Sequence, residues 1–167
     1  MPCSCQIPTP AYPENKEWGP FAWRILHSLA ERVTRVIIPL YENDERRAWI
    51  QLLQNTRTML PCDNCRDHYK VWLDAHPVTE IQTMPYSSLR EWIRRWLWEL
   101  HNDVNLRLGK ASLPYESLSA TYSNFNPMDF KLFDLIEKRA IQQGGVHLVA
   151  WNNWIKQYRT IVSVYGL

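Results

Sequence analysis

The chain has 167 residues, nine Trp, eight Tyr and a formal net charge of +2. That length suits one domain with a real core, and the lack of a dense Lys/Arg block argues against a nucleic-acid binder. No apolar run reaches 18 residues and the N-terminus carries no apolar signal core, so neither a transmembrane segment nor a secretory signal is expected, and a cytoplasmic location is.

The chain opens with Pro2, Pro8, Pro10 and Pro13 among few apolar residues, which predicts a flexible tail over residues 1–16. Cys3 and Cys5 sit in that tail as a dithiol. A disulfide across so short a loop should be strained and easily reduced. A helix is predicted from Gly19 to Ile37, with Ala22, Ile25, Leu26, Leu29, Val33 and Val36 as its core stripe and Trp23 and His27 four apart on the neighbouring one. Alone, His27 reads as a satisfied core or surface histidine. Pro39 ends the element. A second helix runs from Asp44 to Met59, with Asn43 as N-cap and Ala48, Trp49, Leu52, Leu53 and Met59 facing inward.

The stretch Leu60-Pro61-Cys62-Asp63-Asn64-Cys65-Arg66-Asp67-His68-Tyr69 carries the chemistry. A third helix starts at Cys62 and ends before Pro77, with Pro61 suited to its first turn. Cys62, Cys65, Tyr69 and Trp72 share one face. The positive end of a helix favours a thiolate over a thiol. The pair is then either a redox couple or half of a metal site: His68 would supply a third zinc ligand, and Cys3 or Cys5 a fourth.

In the fourth helix, Ser88 and Glu91 form a capping box. Leu89, Trp92, Ile93, Trp96, Leu97, Leu100, Val104 and Leu108 trace one stripe, and Gly109 is the expected stop. His101 and Asn105 lie at the edge of that stripe, where burial demands polar partners; Lys110 follows. A short helix is predicted over Tyr115–Tyr122 and a boundary at Asn126-Pro127. Two further helices are predicted, from Phe130 to Gln143 and from His147 to Val164. The last carries a broad face of Leu148, Trp151, Trp154, Ile155, Tyr158, Ile161, Val162 and Tyr165, suited to core packing or a subunit contact. A chain helical throughout excludes the βαβ pattern of a thioredoxin-like enzyme.

Three stretches together resemble the Erv/ALR family of FAD-linked sulfhydryl oxidases: Trp18-Gly19-Pro20-Phe21-Ala22-Trp23-Arg24-Ile25-Leu26-His27; Leu60 to Tyr69; and Trp92 with Leu100-His101-Asn102-Asp103-Val104-Asn105-Leu106-Arg107-Leu108-Gly109-Lys110. They stand in family order and spacing. The resemblance implies an all-α fold, a four-helix bundle with a short fifth helix, over residues 17–122. Residues 123–167 form additional C-terminal helices with no family counterpart. It implies FAD held by Gly19, Trp23, His27, His68, Tyr69, His101, Asn102, Asn105 and Lys110, with Tyr122 standing where the family usually has a stacking Trp. Cys62 and Cys65 would be the active disulfide and Cys3 and Cys5 the shuttle, passing electrons from thiol-containing protein substrates to FAD and O2, with H2O2 as product. No resident metal is implied; the alternative is a zinc-binding structural or adaptor protein using the same cysteines. The resemblance also implies a homodimer. The chain departs from it at Trp98 and Tyr115, where members commonly carry a structural disulfide, and at Arg32-Val33, where many have Tyr-Pro. Short forms of this kind resemble those of large cytoplasmic DNA viruses, which implies host cytoplasm or virion.

Overall fold

The structure, a computed structural model, describes residues 13–167. Every regular element there is helical: α1 (Asn15–Ala30), α2 (Glu42–Met59), α3 (Asp63–Ala75), α4 (Tyr86–Arg107), α5 (Leu118–Tyr122), α6 (Pro127–Gln142) and α7 (Leu148–Tyr165), with 3-10 turns before α2, α4 and α5. The all-α expectation stands. Cys3 and Cys5 lie outside the described residues.

The helix α1 begins four residues before its predicted start and ends seven before its predicted end. Glu17 reaches back to accept from the Glu14 N–H (3.0 Å), so the start is capped ahead of Gly19 and Pro20 falls inside the helix. At the other end, Val33, Thr34, Val36, Ile37 and Ile38 are poor helix formers. The chain leaves the helix there: Thr34 has φ 69° and donates its N–H to the Glu45 carboxylate (2.9 Å). Val33 still reaches the core. In α2 the predicted Asn43 cap is displaced by the turn Pro39–Tyr41, which leads straight into Glu42. The predicted capping box of α4 is also absent. That helix starts at Tyr86, and Glu91 pairs forward with Arg95 (3.0 Å) instead of back toward Ser88. Gly109 does end α4, at φ +65°, a conformation that glycine adopts at no steric cost.

The core is one cluster running through both halves of the chain. Its aliphatic side chains, among them Ile25, Leu29, Leu52, Leu53, Leu89, Ile93 and Leu97, are joined by Trp49, Phe133, Trp151 and Trp154, all essentially inaccessible.

The most extensive helix pairing is between α2 and α7, and α6 lies against α1. Glu17–Arg139 and Arg24–Asp129 pairs show α6 running antiparallel to α1. Trp154 Nε1 donates to Thr56 Oγ1 (3.0 Å) and Trp49 Nε1 to the Tyr165 hydroxyl (2.8 Å). The predicted face of α7 is thus internal packing for Trp151, Trp154, Ile155, Tyr158, Ile161 and Tyr165, whereas Leu148 is exposed. Trp98 and Tyr115 meet edge to face at 5.4 Å. Further toward the start of α4, Glu31 of the α1 C-terminus accepts from Arg90 (2.7 Å), Arg94 (2.7 Å) and Ser119 (2.9 Å), which ties α1, α4 and α5 together.

Candidate active site

Cys62 is the N-cap of α3. Its backbone is extended (φ −149°, ψ 120°), and its Sγ accepts the N–H of Cys65 at 3.2 Å. Pro61 therefore precedes the cap instead of occupying the first turn. Cys62 and Cys65 are joined as a disulfide with Cα atoms 5.1 Å apart. The N-terminal end of α3 gives this pair the positive potential that stabilises a thiolate when the bond opens.

The disulfide borders a cavity of about 1010 Å³ between α1, the end of α2, α3, α4 and α5. Gly19, Trp23, His68, Tyr69, His101, Asn105, Lys110 and Tyr122, all named by the family resemblance, line it. Trp23 and His101 stack face to face at 3.9 Å. The hydroxyl of Tyr69 donates to the Leu53 carbonyl (2.6 Å), which leaves its buried ring as wall. His68 Nε2 is 2.5 Å from Asp103 Oδ2, so an α4 carboxylate orients this imidazole.

Two predicted contacts sit elsewhere. His27 is buried one layer behind the wall: its ring stacks on Tyr122 at 4.5 Å, and its Nε2 lies 3.0 Å from His101 Nδ1. Burial first, then the charges of His101 and Arg94, push its pKa down to about 3. Burial, with Lys110 second, pushes His101 down to about 4. Both rings are neutral at pH 7. Asn102 does not line the cavity. Its amide clasps Leu113, donating to the carbonyl (3.0 Å) and accepting from the N–H (2.7 Å), and so fixes the stretch of chain between α4 and α5.

Trp18, Met59 and Leu60 also line the wall and are not among the predicted cofactor contacts. Trp18 was within reach: it extends the stripe of Ala22, Ile25 and Leu26 by one turn, and only the late predicted helix start left it out. Asp103 carried no local signal, because its partner His68 is 35 residues away.

The donor set defines a ligand class. Among the described residues, four cations line the cavity (Lys16, Arg24, Arg107 and Lys110) and no carboxylate does. The indole N–H of Trp18 is buried in the wall with no partner among them. A Cβ at Gly19 would meet nothing within 4 Å, so the gap beside it is room for a ligand instead of a tight protein contact. Aromatic walls, cations and an unused donor suit a flat, conjugated, anionic cofactor. Among the described residues, the Cys62 and Cys65 sulfurs are bonded to each other, His68 is paired with Asp103, and no three His, Cys, Asp or Glu side chains gather as a metal site.

A helical bundle with a Cys-x-x-Cys disulfide at the N-terminus of a helix, bordering an aromatic-walled cavity, has a layout suited to thiol–disulfide exchange. The family model described as Erv1 / Alr family matches residues 21–123, well over half of the chain. The chain belongs to the Erv1 / Alr family. Among similar proteins, the mitochondrial FAD-linked sulfhydryl oxidase erv1 of Schizosaccharomyces pombe is 31% identical over 101 residues, 60% of this chain and 50% of that one. A probable FAD-linked sulfhydryl oxidase of Acanthamoeba polyphaga mimivirus is 30% identical over 113 residues, 67% of this chain and 73% of that one. The FAD-linked sulfhydryl oxidase of an African swine fever virus isolate is 29% identical over 126 residues, 71% and 92%. The aligned part spans about half the length of the fission-yeast and plant relatives and most of the length of these two viral ones.

Proposed function

We propose that this protein is a FAD-dependent thiol oxidase that forms disulfides in protein substrates. The observation that carries the reading is the Cys62–Cys65 disulfide opening onto a cavity whose aromatic and cationic lining fits FAD. Trp23, His101, Tyr69 and Tyr122 would hold its flat rings, and Lys110 with Arg107 would meet its phosphates. When bound, FAD supplies two-electron oxidation of a dithiol, with O2 as final acceptor and H2O2 as product.

The protein's own part is thiol–disulfide exchange. A substrate thiolate attacks Cys62 Sγ; a mixed disulfide forms and Cys65 leaves as a thiolate. A second substrate thiolate attacks the substrate sulfur of that mixed disulfide, and Cys62 leaves in turn. Two substrate thiols have become a disulfide, and the Cys62/Cys65 pair holds the electrons. The N-terminal end of α3 stabilises the two leaving thiolates. Neutral His27 and His101 keep positive charge out of the ring stack. Cys3 and Cys5 would act before this step, carrying electrons from bulky substrates.

No helix among the described residues is long and apolar enough to cross a membrane. Host cytoplasm or a virion is the location proposed by analogy with the viral relatives. A homodimer, expected from the resemblance, would use faces other than those of α1 and α2 that α6 and α7 already cover. An absorbance spectrum with zinc analysis on the same sample tests the reading. A flavin band at about 450 nm, bleached by dithiothreitol and restored by air, is the expected result. A colourless protein with stoichiometric zinc overturns it.

A further inference from the structure

Arg66, next in sequence to Cys65, joins two parts of the chain that are remote in sequence. Its Nη1 donates to the carbonyl of Leu60 at 2.5 Å and to the carbonyl of Gly145 at 3.0 Å, and its Nη2 pairs with Asp63. Leu60 is two residues before Cys62. Gly145 lies 79 residues from Arg66, in the turn between α6 and α7, outside the region matched by the family. That turn is well defined: Gly144 has φ +78° and its N–H donates to Ile141, and the N–H of Gly145 donates to Ala140. The Gly145 carbonyl is therefore presented to Arg66 from a fixed position. A planar guanidinium has the forked donors needed to hold several acceptors at once; an ammonium on a flexible stem does not. Glu137 of α6 is buried with no hydrogen-bond partner among the described residues. Burial pushes its carboxyl up to about 8, against the pull of the Arg66 charge.

We propose that Arg66 is a positioning residue for the redox disulfide: it bolts the Leu60–Cys62 segment to Gly145, so that the C-terminal helices set the geometry of the Cys62 cap. The proposal rests on the reading of Cys62–Cys65 as a redox pair. Its consequence follows from the cap. Cys62 Sγ accepts the Cys65 N–H only while residues 60–62 hold their extended path. A reduced Cys62 thiolate gains more from that donor and from the helix end than a disulfide sulfur does. Releasing the clamp therefore destabilises the reduced form, and the disulfide becomes harder to reduce.

The test uses the full chain in a Cys3→Ser/Cys5→Ser background, so that one cysteine pair is counted. Arg66→Gln, Arg66→Lys and Gly144→Val variants are equilibrated in dithiothreitol redox buffers, free thiols are alkylated, and the oxidised fraction is read by mass. This readout needs neither oxidase turnover nor oxygen, so a failure of the oxidase reading does not imitate a failure of the clamp. Arg66→Gln is expected to shift the equilibrium roughly tenfold toward the disulfide, about 30 mV for a two-electron couple. Arg66→Lys should shift it in the same direction, because charge alone does not restore the fork. Gly144→Val, a β-branched residue forced to positive φ with no clash nearby, should do the same from a distance. An equilibrium within twofold of the parent in Arg66→Gln or in Gly144→Val, or full restoration in Arg66→Lys, overturns the proposal. Should Arg66→Gln not fold, Gly144→Val decides alone.

Discussion

His27 Nε2 and His101 Nδ1 lie 3.0 Å apart, so at neutral pH one ring donates a single proton to the lone pair of the other. The pair links α1 to α4 directly behind the cavity wall, and His101 carries that link forward to its stack on Trp23. The arrangement depends on both imidazoles being neutral; a second proton would place two donors face to face.

The pH dependence of stability follows from that pair. His27 is held near 3 in the fold, against about 6.5 when exposed. Between those values the unfolded chain binds more protons, so stability is full above about 6.5 and falls as the pH is lowered. From about pH 7 to about pH 5, His27 alone should remove ~2 kcal/mol, at ~1.4 kcal/mol per unit once titration is under way. Glu137 works in the opposite sense, because its raised pKa favours the fold at low pH. Urea unfolding of the parent and of His27→Phe at matched pH values separates the two. A His27→Phe profile as steep as the parent's would show that this histidine is not the source.

Trp98 and Tyr115 stand where the family resemblance implies a structural disulfide. Their rings meet at 82°, Trp98 Nε1 donates to the Leu113 carbonyl (2.6 Å), and the Arg94 and Arg95 guanidinium groups lie 5.2 and 4.9 Å from the Tyr115 ring centre. The contact should carry ~0.5–1.5 kcal/mol of coupling beyond buried area. A double-mutant cycle with Trp98→Ala and Tyr115→Ala measures it. Strictly additive losses would mean the rings merely neighbour each other.

Tyr165 closes the far end of the molecule. Its hydroxyl accepts from Trp49 and donates to Glu45 (2.5 Å), which also accepts from Tyr86 and Thr34. Tyr165→Phe leaves a buried indole N–H without an acceptor and takes one donor from a buried carboxylate. The expected loss is ~1–3 kcal/mol in urea unfolding, with helix content unchanged by circular dichroism. A loss of a few tenths would mean that water replaces the hydroxyl.

The shuttle role of the tail is tested by function alone. Cys3→Ser/Cys5→Ser should leave oxidation of a small dithiol intact and remove most oxidation of a reduced protein, because only the bulky substrate needs the tail to reach Cys62. Equal rates on both substrates in parent and variant would reject the shuttle.

Much of this was legible along the chain. The stripes of α2 and α4 repeat at helical spacing, and Leu52, Leu53, Leu89, Ile93 and Leu97 are all buried. The placing of Cys62, Cys65 and His68 at one helix start was legible too, since they are local, although the cap proved to be Cys62 with Pro61 outside the helix. Helix ends were less so. The end of α1 depends on Glu45 capturing the Thr34 N–H, and the start of α4 on Glu91 preferring Arg95 to a capping box. Such choices are competitions between near-equal local bonds and distant ones, and spacing alone does not weigh them.

The helical class and the Cys-x-x-Cys pair at a helix start can be read without coordinates, because each rests on short-range periodicity or on side chains a turn or two apart; the cavity residues named in advance came from the family resemblance, since they are spread over α1, α3, α4 and α5. Other features exist only once the helices have packed: His27 stands behind the wall, Asn102 holds Leu113, and Asp103 orients His68. The building of α6 and α7 into the core on α1 and α2 is of the same kind. These are contacts between residues tens of positions apart or between whole elements, and packing is specified by the full set of side chains at once.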